Sequence, residues 1–386
     1  MRDRLFVPVL GLGQIIGFAS SYYLLGVLAD PIAQSTGAAA SLLFAALSGA
    51  FLVSALLTPA SGWAIERYGG RRVQAFAHIA FAGALFLMAG ATTLPVLWLG
   101  IAALGLGMGT GLYGTAFAIV VEKRGPEARR GITAVSLIGA LGGGLGWPIS
   151  RAFVQAGDWR LACLFWALSH LLICLPLTLA VLPKASPVRS GPRERTPLKW
   201  DRRMIQMAGI FAGAWMVSTA MGAHLPRVLD ALGMSASTAA WAAGLMAASA
   251  IAARLFDLLV MHRAHPLITV RLACLLHPLG AVCALSAPLA APLLAIGQGA
   301  GNGLLSVASG VLPLHVFGPD RYAVRQALLL TPARYLQAAA PAAYAWALDG
   351  SVAGALLLSS ALCLAMLVLT FGLHGKASPA LSAPAA

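Results

Sequence analysis

The residue whose chemistry stands out is Arg334. It lies inside an apolar stretch nine residues after Arg325, with Gln337 three residues on and so on the same helical face. At 1.5 Å per residue this places the guanidinium about 13 Å into a helix, near the middle of an apolar layer ~30 Å thick. A cation there costs about 2.5–3.5 kcal/mol on the insertion scale, so something must offset it: an anion, a cluster of carbonyls, water or a counter-charge. No Asp or Glu is expected at that depth, because Asp30 and Asp257 lie nearer helix ends. Two readings stay open. Arg334 holds a substrate anion or serves coupling, or it hydrogen-bonds an interrupted helix near Pro341.

Other polar side chains are spaced for the same kind of work. Gln298 and Asn302 form an i,i+4 stripe, and Gln14 and Ser21 an i,i+7 stripe with Tyr22 and Tyr23 beside it. Trp215, Ser218 and Thr219 precede His224. Amides and hydroxyls in such rows suit a small polar solute; equally, they tie helices together at about 0.6 kcal/mol each. His78, His170, His224 and His277 fall within apolar stretches, where histidine either packs as a neutral hydrogen-bonded ring or carries protons. His277, beside Pro278, and His224 are the proton-coupling candidates. Cys163, Cys174, Cys274, Cys283 and Cys363 also lie in apolar surroundings. No CxxC or zinc-like Cys/His spacing is seen, so neither a metal nor a cofactor is expected.

Helices crossing a membrane must position these residues. Of 386 residues, 59% are hydrophobic and 10% charged, against about a quarter charged in a soluble domain. Apolar runs bounded by charge or turn residues predict twelve membrane helices at 5–29, 39–65, 73–91, 95–121, 132–155, 160–182, 204–228, 236–259, 267–285, 291–315, 324–346 and 351–373. An all-α polytopic membrane protein of two six-helix bundles follows, at 1–182 and 204–374. A Pro-, Ser- and Arg-rich linker at 183–203 joins them, and a disordered tail at 375–386 ends the chain. The apolar run after Arg2 and Arg4 is expected to be an uncleaved first helix, not a signal peptide.

The net charge of +14 does not imply a nucleic-acid partner, since the basic residues punctuate apolar stretches. All but four of the 26 Lys and Arg residues fall on one side, Arg254 being counted among the loop residues of the eighth region. The exceptions are Arg151, Arg160, Arg227 and Arg334. The positive-inside rule then puts both termini in the cytoplasm, and the inner (plasma) membrane is the expected location. The halves also repeat. Gly105, Gly107, Gly109 and Gly111 match Gly297, Gly299, Gly301 and Gly303 at a constant offset, and Gly125-Pro126-Glu127 matches Gly318-Pro319-Asp320. The glycine rows serve close helix packing or form a hinge or thin cavity wall.

Twelve helices in two similar halves, a basic central loop and cytoplasmic ends resemble the major facilitator superfamily. The sharpest match is the run from Gly62 through Glu66, Arg67 and Gly69 to Arg71 and Arg72, similar to that family's loop 2–3 signature. Glu66 stands for the usual Asp, and Gly70 replaces a basic residue. The Arg that many proton-coupled members carry in segment 4 is absent, and Gly142–Pro148 only loosely resembles the antiporter motif. The resemblance implies that Gly62, Glu66, Arg67, Gly69, Arg71 and Arg72 gate the cytoplasmic side. It also places segments 1, 4, 7 and 10 around a central cavity. That cavity would be lined by Arg334, Gln337, Gln298, Asn302, Gln14, Ser21, Tyr22 and Trp215. A narrower resemblance, through Ala19–Leu24, Gly146-Trp147-Pro148, Gly299–Gly303 and Pro332–Tyr335 with Gln337, is to bacterial permeases that include exporters of arsenite and related metalloids.

The expected function is secondary active transport by alternating access, exporting a metalloid or a small organic compound. A small organic-anion transporter is the alternative, and a membrane sensor without flux a third. Partners are the lipid bilayer and a small-molecule substrate, with proton coupling open and the chain a monomer. No Walker motif, HExxH, GxSxG elbow or paired carboxylates are present, so no enzyme activity is expected.

Overall fold

The computed structural model describes residues 2–184 and 198–373. Part of the expected linker and the expected tail at 375–386 lie outside the described residues. Among the described residues the regular structure is helical, as a chain must be whose backbone groups have no water to bond. Eight stretches are long and apolar enough to cross a membrane; one, Leu94–Gln155, runs for 62 residues.

Helix covers every segment read from the sequence, but the two halves are built differently. In the second half α11 (Arg202–Ala231), α12 (Ala236–Leu259), α13 (Pro266–Ser286), α14 (Pro292–Phe317), α15 (Tyr322–Gly350) and α16 (Val352–Leu369) are each continuous. In the first half only α3 (Ala40–Tyr68) and α4 (Gly70–Ala89) are unbroken. The first segment divides into α1 (Arg2–Ala19) and α2 (Leu25–Thr36), the fourth into α5 (Leu94–Gly111) and α6 (Tyr113–Arg124). The fifth divides into α7 (Arg129–Gly139) and α8 (Leu141–Gln155), and the sixth into α9 (Trp159–Leu168) and α10 (Leu175–Val181) around a π-helical turn at Ser169–Cys174.

Each break frees backbone groups that need partners. At Leu112 the chain turns extended (ψ −168°). The freed Gly111 carbonyl accepts from Gln14 Nε2 at 3.0 Å and Gln74 Nε2 at 3.1 Å, and the Thr110 carbonyl from Thr115 Oγ1 at 2.6 Å. Where α1 ends, the Ser21 hydroxyl donates back to the Gly17 carbonyl at 2.6 Å.

The glycine rows are packing devices. Alternate glycines of α5 face different neighbours. Gly105 and Gly109 press on α3 at the Ala50 and Ser54 carbonyls, Gly107 and Gly111 on α4 at Phe81 and Ala77. In α14, Gly299 and Gly303 press on α12 at the Met246 and Ala250 carbonyls, Gly297 and Gly301 on α13 at the Leu276 and Ala273 carbonyls. Matched by what they touch, Gly105 pairs with Gly299, so the repeat is displaced two residues from the register that glycine identity suggests.

One apolar cluster belongs to the first half, around Leu28, Phe81 and Trp166, and two to the second, around Phe211 and around Leu229. A further cluster joins the halves, setting Phe117, Ile119 and Ile132 against Val307, Val311 and Tyr322.

Candidate functional site

The basic connections gather at one end of the molecule, where the halves meet. Lys123 pairs with Asp3, the Gly70 N–H donates to Glu122, and Arg203 and Arg325 both lie over the Phe317 ring. At the opposite end Arg160 pairs with Asp158, and Arg227 with Asp349 at 2.6 Å.

Three sets of contacts close the basic end between the halves. In the first, α3 crosses α15 at Gly62. A Cβ there would lie 2.7 Å from Ala327 Cβ, 2.8 Å from the Ala323 carbonyl oxygen and 3.0 Å from Val324 Cα. One turn on, Glu66 faces Arg321 at 3.7 Å, whose guanidinium also lies over the Trp63 ring. In the second, Arg129 at the start of α7 donates to the carbonyls of Ala264 (2.6 Å) and Met261 (2.8 Å), with the Asp257 carboxylate 3.7 Å away. Asp257 accepts from Thr133 on α7 and Thr269 on α13. In the third, Arg254 of α12 donates to Ser136 of α7 at 3.1 Å, to Ser306 of α14 at 2.7 Å and to the Ala250 carbonyl. Away from this end α8 turns back to its own half, packing on α1, α2 and α9, with Leu145 and Trp147 exposed.

A narrow cleft between the halves runs into the seal itself, lined by Thr58, Met108, Leu112, Thr115 and Arg334 together with Gly62 and Ala327 of the α3–α15 crossing. Arg334 is 8% exposed. Its Nη1 donates to Gln337 Oε1 at 3.0 Å, and its buried Nε has no hydrogen-bond partner. Among the described residues no carboxylate pairs with it.

The other expected lining residues divide. Asn302 accepts from Ser218 at 2.9 Å, bridging α14 and α11, and is half-buried like Trp215. Tyr22 stands among Phe18, Tyr23 and Phe51. Gln14 and Ser21 are fully buried on backbone carbonyls of their own half. His277 bonds Ser359 at 2.8 Å inside the second half, with Gln298 its neighbour on α14. His224 bonds the Pro341 carbonyl at 2.8 Å and stacks on Tyr344. Of the signature, Gly69 (φ 82°) makes the turn between α3 and α4, Arg67 lies over the Tyr68 ring, Arg71 is half-buried and Arg72 exposed.

Sequence reasoning missed Arg254 and Arg129 as members of the seal. Arg254, counted as a loop charge, is 5% exposed inside α12. The signal was present: Arg254 and Asp257 share a face in an otherwise apolar helix, and Ser136 and Ser306 sit on the two helices opposite. A second group was missed: His78, His170 and Cys174 converge in the first half.

Comparison with known proteins agrees with this geometry. The model of the Major Facilitator Superfamily matches residues 10–341. The Multidrug resistance protein B homolog of Mycobacterium tuberculosis, in strains CDC 1551 / Oshkosh and ATCC 25618 / H37Rv, is 30% identical over 198 residues. That match covers 50% of this chain and only 35% of the relative. FucP in its outward conformation superposes with a TM-score of 0.77 at 11% identity, covering 96% of this chain and 99% of FucP. The human organic anion transporter MFSD10 (TETRAN) gives 0.74 at 16%, covering 95% and 99%. The proton:xylose symporter XylE gives 0.73 at 12%, covering 95% and 94%. At these identities the likeness is one of fold. The chain belongs to the Major Facilitator Superfamily and is a membrane transporter, not an enzyme.

Proposed function

We propose that this transporter moves a small organic anion by alternating access, and that Arg334 binds the anion. The observation that carries this is a buried guanidinium with an unpartnered Nε and, among the described residues, no carboxylate beside it. Such a cation is stabilised when a ligand brings the counter-charge. The residues lining its cleft include no thiol, which weighs against a metalloid bound through sulfur.

Two six-helix bundles, at 1–182 and 204–374, rock about this cleft, joined by the linker at 183–203. The twelve crossings leave both termini in the cytoplasm of an inner (plasma) membrane, where the chain works as a monomer. The sealed basic end then makes this an outward-facing state. Contacts at Gly62, Glu66, Arg129 and Arg254 form the gate, and Gly69 with Arg67, Arg71 and Arg72 completes the loop behind it. Gln337 and Asn302 hydrogen-bond the substrate, with Trp215 and Tyr22 as walls; Gln14, Ser21 and Gln298 hold the helices that carry the site. His277 and His224 are the candidates for proton coupling. The partial likeness to a multidrug resistance protein supports export.

The test is thermal stabilisation of the purified protein by small carboxylates, arsenite, antimonite and lipophilic cations. A ligand at 100 times its Kd adds about 2.7 kcal/mol. Carboxylates should stabilise the wild type, Arg334→Lys less, and Arg334→Ala not at all. Arg334→Ala stabilised by carboxylates as well as the wild type, or stabilisation by arsenite alone, would overturn the reading.

A further inference from the structure

The first half holds a cluster that neither the seal nor the cleft uses. His78 on α4 and His170 in the π-helical turn face each other with their Nδ1 atoms 3.0 Å apart. Cys174 lies on the face of His170, four residues on, and one donor atom from each of the three residues falls within 4.8 Å of the others. All three side chains are buried. The outer nitrogens are also held. His170 Nε2 meets the Ser20 hydroxyl at 2.9 Å, and His78 Nε2 meets Gln74 Nε2 at 3.4 Å. Phe81 stacks on the His170 ring at 4.8 Å between centroids. A π-turn inside a helix is a rare and locally unfavourable form that recurs at functional sites. Here it carries two of the three donors.

We infer that His78, His170 and Cys174 form a binding site for a soft monovalent metal ion, Cu(I). Two imidazole nitrogens and one sulfur are a donor set that copper and zinc accept. Charge selects between them. Cu(I) with one thiolate has no net charge, whereas Zn(II) with one thiolate leaves a positive charge in an apolar interior, where it is costly. None of the ion pairs among the described residues involves a carboxylate at this cluster. Three donors also suffice for a three-coordinate ion, whereas a closed zinc site takes four.

The proton balance is simple. On binding, Cys174 loses its thiol proton to solvent. The proton shared between the two Nδ1 atoms moves to His78 Nε2, and His170 keeps its Nε2 proton, donated to Ser20. The new His78 N–H needs an acceptor. Gln74 offers its Oε1, which is buried without a partner in the metal-free structure, after a turn of the amide that gives up its hydrogen bond to the Gly111 carbonyl and leaves that carbonyl to Gln14. Ligating histidines donate their second nitrogen to just such partners. The movement required is a fraction of an ångström for the nitrogens, since two of them at about 2.0–2.1 Å from a three-coordinate ion are about 3.6 Å apart, and Cys174 Sγ closes in from within 4.8 Å.

The test measures metal content after expression in copper-supplemented medium. It also measures binding of Cu(I) delivered as its bicinchoninate complex, with zinc sulfate as a parallel arm. The wild type should hold about one copper per chain, its spectrum showing a thiolate-to-copper band and X-ray absorption finding one sulfur and two nitrogen neighbours. Cys174→Ser and His170→Ala should lose the ion, and Ser20→Ala should weaken binding by about 10-fold or more. X-ray absorption on the wild type keeps the test independent of whether the variants fold. A wild type free of copper in both preparations, copper without a sulfur neighbour, or equal loading of Cys174→Ser would overturn the proposal. Zinc retained in place of copper would overturn the assignment to a monovalent ion.

Discussion

Gly62→Ala should unseat the closed end of the transporter. The added Cβ meets the Ala327 methyl carbon at 2.7 Å, the Ala323 carbonyl oxygen at 2.8 Å and Val324 Cα at 3.0 Å. Two of these three are backbone atoms and cannot turn aside, so α3 and α15 must separate. Overpacking of this kind costs about 1–3 kcal/mol. Here the cost falls only on the state in which the helices touch, which lowers the sealed-to-open ratio by about 5–150-fold. The assay is labelling by a membrane-impermeant thiol reagent at Gly144→Cys, an exposed position with nothing within 4 Å of its added Cβ on α8, whose packing on α1, α2 and α9 of its own half leaves a groove toward the other half away from the seal. Labelling should slow as the population in which the groove is open falls, and transport should fall with it. Gly49→Ala on the same helix is the control, because its Cβ meets nothing within 4 Å. Adding Ala327→Gly should reverse part of the effect, since it removes one of the three contacts and leaves the backbone. If Gly62→Ala labels and transports like Gly49→Ala, the crossing at Gly62 does not set the gate.

Three further perturbations probe the same closure. Glu66→Gln removes the charge facing Arg321 at 3.7 Å; both side chains are partly exposed, at 22% and 16%. The expected loss is therefore about 1 kcal/mol or less of sealed-state preference, read as a modest slowing of groove labelling that salt reproduces in the wild type. Ser136→Asp sets a carboxylate on α7 where a hydroxyl now accepts from Arg254 of the other half at 3.1 Å. Opening must then break a buried ion pair at about 3–5 kcal/mol, so labelling should stay maximal and transport stop; unchanged transport would refute it. The third is pH. Burial and the neighbouring Arg271 and Arg129 guanidiniums hold His265 below the ordinary imidazole pKa in the sealed state, where its ring also faces His315 at 3.1 Å. Opening removes Arg129 and raises that pKa, so protons favour the open end. Sealing is then full above about pH 6.5 and lost progressively below it. Labelling should slow on acidification, and less so in His265→Gln.

The long helices were legible because hydropathy and charge alone define them. The expected 204–228 and 267–285 fall inside α11 and α13. The breaks were not. Gly111-Leu112-Tyr113-Gly114 reads as one more stretch of a glycine row, and only the structure shows Gln14 and Gln74 capping the carbonyl that the break frees. Gln14 thereby changed from a lining candidate to a strut. Arg334 could be placed by counting residues, because its helix start was marked by Arg325. Arg254 could not: the expected 236–259 already contained it and matches α12, but a charge five residues from a helix end was counted with the loop, and only the structure shows it buried against Ser136 and Ser306. The glycine repeat was visible, yet its register was not, since alternate glycines look alike in sequence and differ only in the neighbour they touch. The cluster at Cys174 escaped for a related reason. Its His170 partner is local, but His78 comes from a helix 92 residues away.

If the halves rock as proposed, the choice of partners at the seal explains how it can both hold and release. Arg129 and Arg254 are cations in largely buried settings, and each could have been matched by a carboxylate at hydrogen-bond distance. Instead their close partners are neutral oxygens: the Met261 and Ala264 carbonyls for one, the Ser136 and Ser306 hydroxyls for the other. Asp257, the nearest acid, stands off at 3.7 Å from Arg129 and spends its closer contact on Thr133 at 3.1 Å. Neutral acceptors exchange for water at modest net cost when the halves part, whereas a buried ion pair would leave two uncompensated charges. Shape then does what charge does not. Gly62 against α15, and Gly310 against Phe117 and Ile132, allow contact only in one register, so the closed state is specific without being deep. A transporter needs that combination, because a ligand can reverse only an equilibrium whose two states lie within a few kcal/mol of each other.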